Sequence, residues 1–185
     1  MNELRDRIIN DIIDREIRPG PDGHYSNDPS DSGGETSWGV TAQVAWKHGY
    51  RGEMINMTRA QAFNILVAEF WDEISGDELV KLSERIAEEV ADTGVNMGTS
   101  RAIRFLQRSL NAANNRGKNY LDLTVDGKAG TLTITALSHY LHTRSEEVML
   151  KMLNSLQGAY YIELAERREK DEKYIYGWFM NRVVI

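Results

Sequence analysis

The sequence predicts a mainly helical fold of the α+β kind, several amphipathic helices with one small loop and hairpin lobe. Three observations carry that prediction. Apolar residues recur at helical spacing over most of the chain, the turn-forming residues crowd into one segment near the front, and alternating strand patterns are nearly absent. At 185 residues with 41% hydrophobic content, the chain is long enough to bury a core without outside support.

The first helix spans residues 2–16, where Leu4, Ile8, Ile9, Ile12 and Ile13 recur among Arg5, Asp6, Asp11, Asp14 and Arg15. It stops at Pro19-Gly20. A polar segment from Arg18 to Gly39 follows, holding all three prolines and five of the 15 glycines; such density predicts turns, with a short hairpin near Glu35–Val40. Loops of this length in a small domain are more often functional than idle. Thr41 caps a short helix through Trp46, and Thr58-Arg-Ala-Gln61 has the capping-box form ahead of a helix reaching about Ile74. Asp77–Ala113 reads as helix broken near Thr93–Thr99, with Ile103, Leu106 and Leu110 on one stripe and Arg101, Arg104 and Arg108 on another. After a loop rich in Asn and Gly, helices are expected from Thr131 and from Ser145, and the chain ends in the aromatic cluster YIYGWF.

Charge and composition remove several function classes. The net charge of -6 divides unevenly: residues 1–92 carry 9 Lys and Arg against 19 Asp and Glu, whereas residues 93–185 carry 13 against 9. The acidic front half argues against nucleic acid as a partner, while the back half could rest on an anionic polymer. With no cysteine, neither disulfides nor thiol catalysis is available. No apolar run reaches the roughly 20 residues of a membrane span, and the charged N-terminus lacks the pattern of a signal peptide.

The polar segment invites several chemistries. Asp28-x-Ser30-x-Ser32-Gly33 imitates the start of a calcium loop, but its twelfth position is Gly39, not the required glutamate. No lysine follows the glycines as a phosphate loop needs, and the four histidines form no zinc motif. No metal and no cofactor are therefore expected. Carboxylate chemistry remains. Glu16 continues the stripe Leu4, Ile8, Ile12 at a spacing of four, on the apolar side of a helix end. Burial and the negative end of the helix dipole would both raise its pKa, which suits a general acid. The structural alternative is a glutamate that turns outward or pairs with Arg18. An acid followed by a loop of further carboxylates describes a glycosidase, in which a second group stabilises charge or orders water. Asp28, Asp31 and Glu35 are candidates for that role, and Thr36 could hold the water. Asp28 and Asp31 also suit plain turns. Tyr25 and Trp38 could offer faces to sugar rings or belong to the core.

The segment Tyr25-Ser-Asn-Asp-Pro-Ser-Asp-Ser-Gly-Gly-Glu-Thr-Ser-Trp-Gly-Val-Thr41 resembles the hallmark of the phage endolysins of glycoside hydrolase family 108. There a Glu-Gly-Gly-Tyr core precedes a segment like Val-Asn-Asp-Pro-x-Asp-x-Gly-Gly-x-Thr-x-x-Gly-Ile-Thr. The likeness continues through Asp92-Thr-Gly-Val-Asn96-Met-Gly98, Leu106-Gln107, Val125–Gly130, Thr133, Gly177-Trp178 and Arg182. It implies a lysozyme-like, mostly helical fold, with residues 1–92 as a catalytic region and residues 93–185 as a helical peptidoglycan-binding region packed on it, or the two as one continuous domain. It also implies hydrolysis of the β-1,4 bond after N-acetylmuramic acid in bacterial peptidoglycan. Glu16 would then be the acid, assisted by Asp31, or else Asp28, with Thr36 on the water. Tyr25, Trp38 and Asn96 would meet the sugar, Asn96 through an N-acetyl group.

One departure stands out. Tyr25 is preceded by Asp22-Gly23-His24, so the family register falls on Asp22, and Glu16 lies six residues further back. Either Arg-Pro-Gly-Pro belongs to an insertion after Glu16, or Asp22 has taken the acid's position; the amphipathic argument favours Glu16. The broken core keeps two other functions open, a non-catalytic peptidoglycan-binding or secretion-assisting protein and a lytic transglycosylase. The resemblance further implies a monomer with no membrane insertion. It would accumulate in the host cytoplasm until a holin pore admits it to the periplasm and cell wall.

Overall fold

The computed structural model describes residues 3–15, 17, 23–27 and 34–183. It is mainly helical, 71% of it, with a small three-stranded sheet, which is the fold class expected. The chain forms two compact units, Met1–Asp72 and Glu73–Ile185. Residue 92, where the charge balance turns, lies inside a helix of the second unit.

In the first unit, α1 (Glu3–Arg15) buries Leu4, Ile9 and Ile13, while Ile8 and Ile12 are half-buried. The stripe Leu4, Ile8, Ile12 read from the sequence is thus the flank of the buried face, whose centre runs through Ile9 and Ile13. Strands β1 (Tyr25–Ser26), β2 (Thr36–Ser37) and β3 (Val40–Thr41) form an antiparallel sheet in that order. Thr41 then caps α2 (Ala42–Lys47) by accepting from the Val44 amide. A 3-10 turn, Met54–Asn56, leads to α3 (Arg59–Leu66). The capping box foreseen there is present: Gln61 N–H bonds the Thr58 hydroxyl, and the Gln61 side chain accepts from the Thr58 amide at 2.9 Å. The expected run toward Ile74 continues as a π-turn, Val67–Asp72. Ile9, Ile13, Val40, Ala45, Met54, Met57, Ile65 and Leu66 make one core, with the sheet lying over it.

The second unit holds α4 (Gly76–Leu82), α5 (Glu84–Met97), α6 (Thr99–Ala112), α7 (Thr131–Thr143), α8 (Glu146–Arg167) and α9 (Glu172–Arg182). The single break foreseen near 93–99 is two breaks, at Ser83 and at Gly98. Ser83 has extended backbone, and its hydroxyl accepts from the Ile86 amide while donating to Glu146. Gly98 has φ +92°, which a side-chain-bearing residue adopts only at a cost. The terminal aromatic cluster is a separate helix: Trp178 stacks on Tyr161 at 4.7 Å, and Gly158 leaves room for the Phe179 ring.

Between α6 and α7 the chain runs from Ala113 to Gly130 without helix or strand, and two side chains of α6, Gln107 and Asn111, hold it together with Asn114 just past the helix end. Gln107 and Asn111 are four residues apart in α6, so they share one face. Gln107 donates to Asp126 Oδ1 (2.9 Å) and accepts from the Gly127 amide (2.9 Å). Asn111 exchanges two bonds with the Leu123 backbone, and Asn114 binds Tyr120 in the same two-bond manner. These amides satisfy backbone groups that a regular ladder would otherwise pair. Gly127 closes the loop with φ +76° against Ser100, where a Cβ would stand 2.7 Å from a backbone carbonyl.

One ionisable group in this unit is costly. Glu89 on α5 has an Oε1 with no hydrogen-bond partner, and it lines a cavity of about 350 Å³ with Glu88, Asp92, Asn154 and Arg182. Burial pushes its pKa up from 4.5 to about 7, with the Asp92 and Glu88 charges adding to the rise against opposing bonds to Asn154 and Thr93.

Two outcomes follow. Gly127→Ala should destabilise the second unit by more than the ~1 kcal/mol of an ordinary Gly-to-Ala strain, because the Ser100 backbone carbonyl as well as its hydroxyl blocks the added carbon. Chemical denaturation measures it. For Glu89, the folded state holds its proton over a range in which the unfolded chain has released it. Stability contributed by the neutral acid is complete below pH 4.5 and is lost as pH rises through about 7. The loss is at most about 3 kcal/mol. Denaturation at pH 5 and pH 8 should show Glu89→Gln with a smaller pH dependence than the parent; equal dependence would count against this account.

Candidate functional site

The described part of the loop lobe is organised by its sheet. Register pairs Tyr25 with Ser37 and Ser37 with Val40, and it pairs Ser26 with Thr36 and Thr36 with Thr41. Side chains alternate across a strand, so the first row meets the core, where Ser37 and Val40 are fully buried. The second row, Ser26, Thr36 and Thr41, is half-buried and carries three hydroxyls side by side. Among the described residues the Thr36 hydroxyl makes no hydrogen bond, whereas that of Thr41 is used as the α2 cap.

The turn joining β2 to β3 is Trp38-Gly39, with φ +53° and +80°. Two positive values are what a type I′ hairpin turn demands, and it favours Asn-Gly at those places. A tryptophan in this conformation is strained by about 1–2 kcal/mol. Three contacts hold it: its ring stacks on His24 at 4.6 Å, its Nε1 donates to Met57 O at 2.8 Å, and its amide donates to His24 O at 2.7 Å. One face of the indole is therefore covered by His24, and the Arg59 guanidinium lies 6.0 Å from the ring centroid. Tyr25 is likewise engaged, donating its hydroxyl to Glu35 Oε1 at 2.7 Å. That bond raises the phenol's pKa, with burial and the Glu35 charge adding to it.

Thus Tyr25, Glu35, Thr36 and Trp38 come together on one sheet. Asn96 belongs to the second unit, exposed near the end of α5 with its amide nitrogen donating to Asp92 O at 2.7 Å. Glu16, Asp22, Asp28 and Asp31 lie outside the described residues. No group of three or more potential ligands able to hold a metal occurs among the described residues, and no helix among them is long and apolar enough to cross a membrane.

A charged cluster not foreseen from sequence sits on the π-turn, a backbone form often found at functional sites. Glu69 Oε1 accepts from Lys47 Nζ at 2.6 Å and meets His48 Nε2 at 2.5 Å. Burial works to raise its pKa, but the two bases outweigh burial and hold the carboxyl below its ordinary value. Glu69 reaches this position from the π-turn, of which helical periodicity gives no sign.

Residues 19–98 match the family model described as Glycosyl hydrolase 108, and residues 101–183 match the one described as Predicted Peptidoglycan domain. This glycosyl hydrolase 108 region contains the whole sheet, the turn at Trp38-Gly39 and Asp22, and it begins after Glu16. The peptidoglycan region contains α6, its amide-held loop and the aromatic terminus. No curated protein matches the chain. A solved structure, "Structure of Brucella abortus SagA", is similar at 17% identity over all of both chains with a TM-score of 0.58, a likeness of fold alone. The two regions together make the chain a peptidoglycan-degrading glycoside hydrolase.

The strain at Trp38 is open to measurement. Trp38→Ala and Trp38→Asn both lose the stack and the Met57 bond, but asparagine accepts positive φ and alanine does not. Denaturation should find the Asn variant about 1 kcal/mol more stable than the Ala variant; equal stability would refute the strain.

Proposed function

We propose that the chain is an N-acetylmuramidase, hydrolysing the β-1,4 bond between N-acetylmuramic acid and N-acetylglucosamine in bacterial peptidoglycan, and that it serves as an endolysin. The observation that carries this reading is the pairing in one chain of a glycosyl hydrolase 108 region with a peptidoglycan region. In the proposed mechanism Glu16 protonates the glycosidic oxygen while positive charge develops on the muramic acid ring. Asp31, with Asp28 as the alternative, stabilises that charge or activates water. Thr36, whose hydroxyl is free among the described residues, orders the water, and Tyr25 holds Glu35 beside it. Tyr25 and Trp38 line the sugar cleft, and Asn96 bonds an N-acetyl group through its amide oxygen.

A second reading makes Asp22 the acid. The family match favours it, since the matched segment starts at residue 19 and so includes Asp22 without Glu16. We further propose that the protein is monomeric, gathers in the host cytoplasm and reaches the wall through a holin pore.

The deciding experiment compares Glu16→Gln and Asp22→Asn on purified peptidoglycan. Loss of the acid should cost about 10²–10⁴ in rate, and we expect that loss in the Glu16 variant with the Asp22 variant near parental. The reverse outcome assigns the acid to Asp22. A parent protein that neither clears peptidoglycan nor releases soluble fragments is a binder, and anhydro ends by mass spectrometry would mark a transglycosylase.

A further inference from the structure

The arginine stripe of α6 does not act as one surface. Arg101 lies over the Tyr160 ring, 3.9 Å from its centroid. Arg104 donates to the carbonyls of Val125 and Asp126 at 2.5 and 3.0 Å. Both are consumed within the unit. Arg108 makes no hydrogen bond or ion pair among the described residues, and it stands at the edge of a groove between α6 and α8 with a volume of about 410 Å³. That is the size of an ordinary small-ligand site.

The groove has a definite chemistry. Val148, Met152 and Leu156 supply apolar wall, and Lys151, also without a side-chain partner among the described residues, adds a second cation. No carboxylate lines it, although the chain as a whole is acidic at -6. In its wall lies Ser109, 1% exposed, with a hydroxyl that has no hydrogen-bond partner. A helical serine usually bonds the carbonyl four residues back, as Ser155 of the same groove does to Lys151 O at 2.7 Å. This hydroxyl has no surface open to the groove, so the exposed lining, and not Ser109, defines the occupant. The lining calls for an occupant with small apolar groups and at least one anion for two free cations.

We propose that this groove binds the stem peptides of peptidoglycan, short chains of small methyl-bearing residues with free carboxylates. The proposal rests on the reading that the chain acts on peptidoglycan, and it assigns the peptide-recognising part of that action to α6 and α8. Arg108 and Lys151 take the carboxylates, and the apolar wall takes the methyl groups. A long acyl chain fits less well, because Ser155 interrupts the wall.

The test uses the full chain and calorimetric titration with a soluble L-Ala-γ-D-Glu-diaminopimelate-D-Ala tetrapeptide, beside the same peptide with its carboxylates amidated. Arg108→Ala and Lys151→Ala should each weaken binding about tenfold, the double variant about a hundredfold if the two act independently. Amidation should weaken binding to the parent as much as the double variant does. Both side chains are exposed, so the variants should keep the parental circular dichroism and melting. No binding at millimolar peptide, binding indifferent to both substitutions, or tighter binding of a fatty acid at the same residues would overturn the proposal. Cleavage of intact, stem-bearing peptidoglycan is measured in parallel. Its absence would remove the muramidase reading, whereas unbound peptide with intact cleavage would remove only this one.

Discussion

The backbone of Trp38 and Gly39 reverses with positive φ at both residues, and the candidate site's described geometry depends on that turn. A two-residue hairpin loop fixes register, and a shift of one residue would move every side chain to the other face. With the observed register Ser37 and Val40 enter the core, so Thr36 must face away from it and Tyr25 must lie opposite Ser37. The Tyr25–Glu35 bond then falls into place across the neighbouring strands. The turn's strain persists because His24, Met57 and the core beneath it over-determine the indole's position.

The second unit solves a different problem with the same economy. An irregular stretch from Ala113 to Gly130 would leave backbone groups unpaired, and the amides of Gln107, Asn111 and Asn114 substitute for a neighbouring strand. Each offers both a donor and an acceptor at one end of a short stem, which charged side chains cannot do. Arg104 completes the fastening from α6. The recurring motif pieces Leu106-Gln107 and Val125–Gly130 are therefore two halves of one contact, separated in sequence and joined in space.

Much of this was legible in the residues. Helical periodicity located most of the helices to within a turn, and the caps at Thr41 and Thr58 form the bonds their sequence pattern implies. Periodicity was less informative at the margins. It placed Ile8 and Ile12 on the apolar face of α1 but could not tell flank from centre, because a 3.6-residue period leaves neighbouring positions nearly degenerate. It could not show the π-turn that brings Glu69 to Lys47 and His48, since one extra residue in a turn leaves no compositional mark. At the site, the sequence named Tyr25, Thr36 and Trp38 by residue type; that Trp38 carries the turn, and that His24 covers its ring, are tertiary facts. The carboxylates Glu16, Asp22, Asp28 and Asp31 rest on sequence and family register alone.

The charge asymmetry shows why a count of charges underdetermines a surface. Residues 93–185 carry four more basic than acidic side chains, which as a tally suggests a broadly cationic face. In the structure much of that charge is already committed: Arg101 to an aromatic ring, Arg104 to carbonyls, Arg182 to Asp92 at 3.2 Å, and Arg167 to Glu163 at 3.1 Å. What can still meet a ligand is the remainder, and its value depends on surroundings more than on number. Arg108 and Lys151 border apolar wall, where a bound anion would be partly removed from water and its attraction to the cations correspondingly strengthened. Two unspent charges beside such a wall discriminate among ligands better than a larger number held in solvent, where screening levels them.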